Sequence, residues 1–205
     1  MIDARLAPLV QRALAPAARA LARRGVGADA ITIIGFAAGL ACVAALALGA
    51  FAPALALLAA NRLADGLDGE VARLTGPTRR GAFLDIVLDF IFYALFPLGF
   101  AFHDPSANAL PAAVLIAAFV GTGASFLGFA AVAAKAPVGG VKLRQKGIAY
   151  LGGLAEGAET IAVFAAMCLF PAQFSQLAWF FAALCVLTAL SRLWWGWSAF
   201  GPEER

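Results

Sequence analysis

Residues 61–89, NRLADGLDGEVARLTGPTRRGAFLDIVLD, place five carboxylates within or at the edge of two long apolar stretches. Between the stretches lies Gly76-Pro77, a strong helix-breaking pair. An aspartate at the centre of a membrane helix costs about 2.5–3.5 kcal/mol on insertion scales, so acids in such positions are functional by default. The sequence therefore predicts two antiparallel membrane helices joined by a short turn, with a functional site between them.

The composition of the whole chain is that of a membrane protein. Hydrophobic residues make up 63% of the 205 residues and charged residues 13%, against roughly 45–50% and 25% in soluble domains. A membrane-spanning helix needs about 20 apolar residues. We expect an all-α bundle that forms one integral-membrane domain over residues 1–205. Its six predicted spans cover about 30–50, 53–74, 81–102, 109–134, 148–170 and 174–199.

The N-terminal segment, residues 2–24, differs from these stretches. Apolar residues recur at helical spacing there, with five arginines between them. That pattern is typical of an amphipathic helix that lies in the membrane interface.

The positive charges predict the orientation in the membrane. Thirteen of the fifteen lysines and arginines lie in or beside the N-terminal segment, the 73–80 turn, the 135–147 loop and the C-terminus. Basic residues concentrate on the cytoplasmic side, so we expect both termini and the active site to face the cytoplasm. We expect a multi-pass protein of the bacterial inner membrane. In such a protein the net charge of +3 reports topology and does not indicate a nucleic-acid partner.

Helical spacing brings four of the carboxylates together. Asp65 and Asp68 share one face of the second span, and Gly81, Asp85 and Asp89 share one face of the third. Four like charges in a medium of low dielectric constant repel each other unless cations offset them. Oxygen ligands without Cys or His favour hard divalent cations such as Mg²⁺, Mn²⁺ or Ca²⁺. Four aspartates suit two ions about 3.5–4 Å apart.

The residues around the carboxylates indicate a phosphate-containing substrate. Gly69 and Gly81 remove side chains beside the cluster, so a ligand can approach the backbone. Arg73 lies one turn from Gly69, and its planar guanidinium can bind a phosphate group. Metal ions together with an arginine indicate a polyanionic substrate, most simply a diphosphate.

This arrangement resembles the signature of the CDP-alcohol phosphotransferase (CDP-alcohol phosphatidyltransferase) family. The matching positions are Asp65, Asp68, Gly69, Ala72, Arg73, Gly81, Asp85 and Asp89. The resemblance implies a phospholipid-biosynthesis enzyme that moves a substituted phosphate, for which we expect a phosphatidyl group, from a CDP-linked donor such as CDP-diacylglycerol to an alcohol acceptor. The sequence leaves open whether the donor is CDP-diacylglycerol or a CDP-linked headgroup. CMP is released, and no covalent nucleophile is needed.

The resemblance also implies roles for individual residues. Two divalent cations, Mg²⁺ or Mn²⁺, would be bound by Asp65, Asp68, Asp85 and Asp89. Nucleotide contacts would come from Asp68, Gly69, Ala72, Arg73 and Gly81, and Thr32 is a further candidate at the border of the nucleotide pocket. Asp89 would be the base that deprotonates the acceptor hydroxyl. We also expect a homodimer.

The acceptor is left open by the sequence. Glu156 and Glu159, at positions i and i+3 of the fifth span, favour an acceptor with an amine or with bare hydroxyl groups. Lys142 and Arg144 in the basic loop favour a phosphorylated acceptor instead. Arg192, within the sixth span, either faces the cavity or extends to the cytoplasmic interface, and we favour the interface.

Two other functions would also use buried acids. A divalent-cation transporter or channel needs carboxylates within membrane helices, but it does not need Arg73 beside them. A membrane prenyltransferase binds a diphosphate through aspartates and Mg²⁺, but it would leave the Gly69-x-x-Ala72-Arg73 element unexplained.

Overall fold

The computed structural model describes the backbone of residues 2–134, 143–144, 148–149 and 155–200, and the side chains of residues 10–134 and 155–200. Most of this part of the chain is helical. Its helices are α1 (Ile2–Arg23), α2 (Ala28–Ala47), α3 (Phe51–Thr75), α4 (Arg79–His103), α5 (Pro105–Ala133), α6 (Gly157–Leu169) and α7 (Phe174–Ala199). A 3₁₀ turn, Pro171–Gln173, precedes α7. Two short strands, β1 (Leu143–Arg144) and β2 (Ile148–Ala149), pair antiparallel.

Among the described residues, four helical segments are long and apolar enough to cross a membrane. They are α2, α4, α5 and the segment Pro171–Ala199 that contains α7. Helix α3 has 25 residues and matches the predicted second span in its bounds, but charged side chains occupy its C-terminal half. Helices α2–α7 lie in the order of the six predicted spans, but only four of the described segments are long and apolar enough to cross a membrane, so the count of six spans stays a prediction.

The predicted fifth span is wrong at its N-terminal end. The prediction placed a helix over 148–170, but Ile148 and Ala149 belong to a strand and the helix begins at Gly157. Glu156 before it has extended backbone angles, φ −113° and ψ −173°. The 13 residues of α6 give a length of about 20 Å, which is shorter than the roughly 30 Å hydrocarbon core of a bilayer.

Helix α5, the fourth predicted span, begins at Pro105, four residues earlier than predicted. The predicted spans left residues 103–108 between them, but Asp104 alone separates α4 from α5. Its Oδ1 accepts hydrogen bonds from the backbone N–H groups of Ser106 and Ala107, and Pro105 occupies the first helical position. The Ser106 hydroxyl also donates to this carboxylate, which holds the pKa of Asp104 below its usual range.

Helix α1 packs along α3. Gly66 on α3 lies close to Leu14 on α1. A Cβ atom added at position 66 would be only 2.6 Å from Leu14 Cδ1. Ala18 is fully buried beside Ile31 and Val71. One face of the amphipathic helix is therefore covered by protein, and its location in the membrane interface stays a prediction.

The main core is built from residues of α2 to α7, and phenylalanines dominate the part of it around α4. The rings of Phe96 and Phe164 stack with centroids 3.8 Å apart, and those of Phe100 and Phe174 with centroids 4.3 Å apart. All four side chains are fully buried. Phe92, one turn before Phe96, extends this core to the level of the carboxylates.

Helix α2 approaches α3 and α4 closely at the same level. A Cβ atom at Gly35 would lie 2.6 Å from Ala64 Cβ on α3, and one at Gly39 would lie 2.8 Å from the Phe92 ring on α4. These distances are shorter than any ordinary contact, so only glycine fits at either position. The close approach brings side chains of α2 against the acidic residues of α3.

Candidate active site

Three of the predicted acidic residues form one group. Asp65 and Asp68 project from α3 and Asp85 from α4, and one carboxylate oxygen from each lies within 4.8 Å of the others. Asp68 is buried, at 5% exposure, whereas Asp65 and Asp85 are partly exposed. Oxygen ligands bound at about 2.0–2.6 Å from a shared hard cation are at most about 4–5 Å apart. The three oxygens therefore fit a divalent cation such as Mg²⁺ or Mn²⁺.

Asp89 has a different neighbour. It lies one turn beyond Asp85 on α4, outside the three-residue group, and Arg62 Nη2 donates to Asp89 Oδ1 across 2.9 Å. Arg62 Nη1 is 3.8 Å from Asp65 Oδ2, so the same guanidinium lies beside both carboxylates.

The Arg62 side chain is only 15% exposed and is held from several directions. Its Nε donates to Asn61 Oδ1 across 2.7 Å, and Asn61 Nδ2 donates to the Gly35 carbonyl oxygen across 2.8 Å. The guanidinium carbon lies 5.5 Å from the centre of the Phe92 ring and 5.7 Å from that of Tyr93. Sequence reasoning missed Arg62, although an arginine within a predicted span, three residues before Asp65, was a signal for it.

Thr32 on α2 completes this side of the cluster. Its hydroxyl donates to Asp68 Oδ2 across 2.6 Å and lies 3.1 Å from the Ala28 carbonyl oxygen of its own helix. Hydrogen bonds to ligand carboxylates fix their orientation and tune metal affinity. Thr32 thus borders the acidic group through Asp68.

The acidic residues enclose a small cavity of about 20 Å³, enough for one water-sized sphere. A cavity of this size can hold a bound cation. The lining residues are Thr32, Gly35, Phe36, Asn61, Arg62, Asp65, Asp68, Asp85, Leu88 and Asp89.

The predicted nucleotide-binding residues lie at the same end of α3 and α4. The Arg73 guanidinium folds back toward Gly69, with its nitrogens 3.8 Å from where a Cβ atom at 69 would be, and pairs with Glu70. Arg73 is 48% exposed, so its guanidinium is accessible to a ligand. Ala72 is partly buried in the same turn of α3.

Gly81 lies in the first turn of α4, where Thr78 caps the helix. The Gly81 N–H donates to Thr78 Oγ1 across 3.0 Å, and a Cβ atom at 81 would be 2.9 Å from Asp29 Oδ1. Asp29 in turn pairs with Arg80 at 2.6 Å. A larger residue at 81 would collide with both oxygens, so glycine keeps this corner of the site open.

Glu156 and Glu159, the predicted acceptor residues whose side chains are described, do not line the acidic cavity. Glu156 is 7% exposed and immediately precedes α6, and Glu159 follows in the first turn. The Oε2 atom of Glu159 is buried and has no hydrogen-bond partner among the described residues. Arg144 lies in β1, where only the backbone is described, and Lys142 lies outside the described residues.

Our expectation for Arg192 is wrong. The side chain does not extend to the interface but is buried, at 8% exposure. Its Nη1 donates to the Thr122 carbonyl oxygen across 3.1 Å, and its guanidinium lies 5.6 Å from the centre of the Phe126 ring. The close packing of α7 against α5 places this arginine between the two helices.

The whole chain is similar to known proteins of one family. The sequence profile of the CDP-alcohol phosphatidyltransferase family matches residues 26–194. An inner membrane protein of Escherichia coli, YnjF, is 47% identical over 205 residues, which cover all of both chains. The archaetidylinositol phosphate synthase of Methanothermobacter thermautotrophicus is 42% identical over 83 residues, 40% of this chain and 41% of that protein.

Solved structures show the same fold. The phosphatidylinositol phosphate synthase PgsA1 of Mycobacterium tuberculosis with CDP-DAG bound superimposes with a TM-score of 0.70 at 26% identity, covering 95% of this chain and 98% of that one. The same enzyme in complex with manganese and citrate also gives a TM-score of 0.70 at 26% identity, covering 94% and 92% of the two chains.

The chain therefore belongs to the CDP-alcohol phosphatidyltransferase family. It is a divalent-metal-dependent membrane transferase of phospholipid biosynthesis that moves a substituted phosphate from a CDP-linked donor to an alcohol, with release of CMP. This result favours the transferase over the cation transporter and the prenyltransferase.

Proposed function

We propose that the donor is CDP-diacylglycerol and that the transferred group is phosphatidyl. The observation that carries this proposal is the group of Asp65, Asp68 and Asp85 together with the exposed guanidinium of Arg73 at the same end of α3. A divalent cation and an arginine together neutralise a diphosphate. The similarity to PgsA1, whose structure has CDP-DAG bound, supports the choice of donor.

The roles follow from the positions of the side chains. Asp65, Asp68, Asp85 and Asp89 would hold the divalent cations, which would neutralise charge and polarise the phosphoryl oxygens. We propose that two divalent cations bind there. Arg73 binds the diphosphate, and the small residues Gly69, Ala72 and Gly81 let the nucleotide approach the backbone.

Asp89 is proposed as the base. Its carboxylate takes the proton of the acceptor hydroxyl while the acceptor oxygen forms a bond to the lipid phosphorus. The bond from that phosphorus to the bridging oxygen breaks, and CMP leaves with the electron pair. Arg62 bonds Asp89 through Oδ1, which leaves the second oxygen of the carboxylate for the proton.

For the acceptor, the buried Oε2 atom of Glu159 favours a ligand that can donate a hydrogen bond, such as an amine or a hydroxyl group. Lys142 and Arg144 keep a phosphorylated acceptor as the second candidate. An assay with acceptors of both kinds separates the two.

Location, orientation and assembly are also proposed. The four apolar helices and the similarity to an inner membrane protein support a place in the bacterial inner membrane. The distribution of lysine and arginine supports a cytoplasmic active site. The homodimer rests on the family resemblance, and cross-linking in intact membranes tests it.

The decisive experiment measures CMP release by the purified protein. CDP-diacylglycerol and Mn²⁺ are supplied with serine, glycerol phosphate, inositol phosphate and an amino alcohol in separate reactions. We expect CMP and a new phospholipid with one acceptor, loss of both products in excess chelator, and recovery with Mg²⁺ or Mn²⁺. CMP release that continues in excess chelator would refute the metal site. A second set of reactions supplies a CDP-linked headgroup in place of CDP-diacylglycerol. No CMP from either kind of donor would refute the proposed reaction, and CMP from the headgroup donor alone would refute the proposed donor.

A further inference from the structure

Helix α1 carries a row of arginines along one face. Arg12, Arg19 and Arg23 are seven and four positions apart, which places them within about 40° of one another around a helix of 3.6 residues per turn. All three side chains are exposed. Residues 10–23 contain no aspartate or glutamate, so this arginine row is a purely basic surface.

The opposite face of α1 is apolar and is covered by the rest of the protein. Leu14 lies against Gly66 of α3, Ala18 is fully buried, and Leu21 packs against the same cluster. An interfacial helix usually binds a membrane by placing its apolar face among the acyl chains. In this protein that face is occupied by α3, which leaves the arginine row to contact lipid.

Helix α1 lies against the side of α3 and not at its end. Gly66 is nine positions before Thr75, the last residue of α3, which corresponds to about 14 Å along the helix axis. The part of α3 between them carries charged side chains, and charges are costly deeper in a bilayer. The arginine row, on the far side of α1 from α3, therefore faces sideways from the bundle at the level of the lipid headgroups.

The charge of the arginine row is not compensated within the protein. Among the residues whose side chains are described, no carboxylate pairs with Arg12, Arg19 or Arg23, whereas Arg80 at the same end of the bundle pairs with Asp29. A guanidinium bonds phosphate oxygens through two parallel N–H groups. Basic side chains near an anionic leaflet each strengthen binding to it. The row is therefore complementary to a layer of phosphate groups.

We propose that the arginine row of α1 is a binding surface for anionic phospholipids of the surrounding leaflet, whose phosphate groups accept hydrogen bonds from Arg12, Arg19 and Arg23. Bound lipid holds α1, and through it the acidic half of α3, at the level of the headgroups. The surface is separate from the proposed diphosphate site, and the inference does not depend on the proposed reaction.

The test is thermal stabilisation of the purified full-length protein in detergent by added lipid. Short-chain phosphatidylglycerol, short-chain phosphatidylcholine and inorganic phosphate are titrated separately, and the rise in Tm gives an apparent Kd for each. For the wild type we expect phosphatidylglycerol to bind at least about tenfold more tightly than phosphatidylcholine, since each arginine near an anionic lipid surface contributes about fivefold. Inorganic phosphate should give no comparable rise in Tm.

Three variants locate the effect on α1. The triple variant Arg12→Gln, Arg19→Gln, Arg23→Gln should bind phosphatidylglycerol at least about tenfold more weakly than wild type. The corresponding triple lysine variant keeps the charge and should stay within about threefold of wild type. Arg79→Gln is the matched control, because Arg79 is an exposed arginine at the start of α4, outside the row. Its Kd should stay within about twofold of wild type, as for a surface change away from the site.

Each outcome decides the proposal. Equal phosphatidylglycerol binding by the wild type and the folded triple glutamine variant overturns it, and so does a wild type without preference for the anionic lipid. Equal stabilisation by inorganic phosphate overturns the assignment to a lipid. If the triple glutamine variant does not fold, the single variants Arg12→Gln and Arg19→Gln decide, with a loss of about fivefold expected for each. Failure to release CMP would instead refute the proposed reaction and leave the lipid affinities as they are.

Discussion

The hydroxyl group of Thr32 on α2 donates to Asp68 Oδ2 on α3 across 2.6 Å. The two residues are 36 positions apart in the chain, and they meet because Gly35 lets α2 approach α3. The orientation of a proposed metal ligand therefore depends on a helix that supplies no ligand of its own among the described residues.

Thr32→Val should reduce metal affinity while the fold is retained. Valine keeps the shape but cannot donate to Asp68, and loss of such a partner typically costs about 10–100-fold in metal affinity. We expect the Mn²⁺ concentration for half-maximal activity to rise by at least about tenfold. The control is Thr75→Val, because the Thr75 hydroxyl bonds the Val71 carbonyl of its own helix. Equal Mn²⁺ requirements in the two variants would contradict the role of Thr32.

Asp89→Asn should affect the chemical step more than donor binding. Asparagine keeps the shape of aspartate but cannot accept the proton, and a positioned base contributes about 10²–10⁴-fold. We expect kcat at saturating Mn²⁺ to fall at least about 10²-fold, with a much smaller change in the KM for CDP-diacylglycerol. In comparison, Asp68→Asn should weaken both metal and donor binding. Near-normal turnover of Asp89→Asn would remove Asp89 from the role of base.

Gly35→Ala should destabilise the packing of α2 on α3. The added Cβ atom would lie 2.6 Å from Ala64 Cβ, so the helices must separate. Overpacking of this kind costs about 1–3 kcal/mol, and the shift would also disturb the contacts of Thr32 and Asn61. We expect a lower Tm in detergent and a higher Mn²⁺ requirement.

Gly128→Ala on α5 is the matched control for that change. A Cβ atom at position 128 meets nothing within 4 Å, and alanine has a helix propensity about 1 kcal/mol better than that of glycine. Its Tm should be equal to that of the wild type or higher. A Tm as low as that of Gly35→Ala would show that the close approach at Gly35 is not the cause.

Glu159→Gln should act on the acceptor. The change removes the charge of the carboxylate near the start of α6 and leaves the Asp65–Asp68–Asp85 group intact. We expect the KM for the acceptor to rise more than the KM for the CDP-linked lipid, which is the signature of lost acceptor binding. Equal changes in the two constants, or no change, would assign Glu159 a structural role.

The orientation is tested by cysteine labelling in intact cells. The native cysteines, Cys42, Cys168 and Cys185, are buried and should not react with a membrane-impermeant thiol reagent. Cysteines introduced at the exposed positions Ser106 and Gln173 should be labelled from outside, and a cysteine at Gly140 should not. Labelling at position 140 from outside would reverse the predicted topology.

The sequence by itself determined the family, the helical class and most helix positions. Apolar stretches of about 20 residues require membrane helices, and their bounds agree with α3, α4 and α7 within a few residues. The convergence of Asp65, Asp68 and Asp85 could be predicted from their spacing. Asp65 and Asp68 share a face of α3, and the short turn between α3 and α4 makes the two helices antiparallel, so Asp85 on α4 can come close to both. The start of α6 was mispredicted, since an apolar run does not distinguish a helix from an extended segment.

Only the tertiary structure decided the partners of those side chains. Periodicity shows which face a residue occupies, but it does not show which side chain of another helix lies opposite. The contacts of Thr32 with Asp68 and of Arg62 with Asp89 join residues 36 and 27 positions apart. Both depend on helix packing at the level of the site, where Gly35 and Gly39 bring α2 against α3 and α4. The distance between packed helices is determined by the side chains at the contact, and a single chain's sequence pattern does not specify that distance.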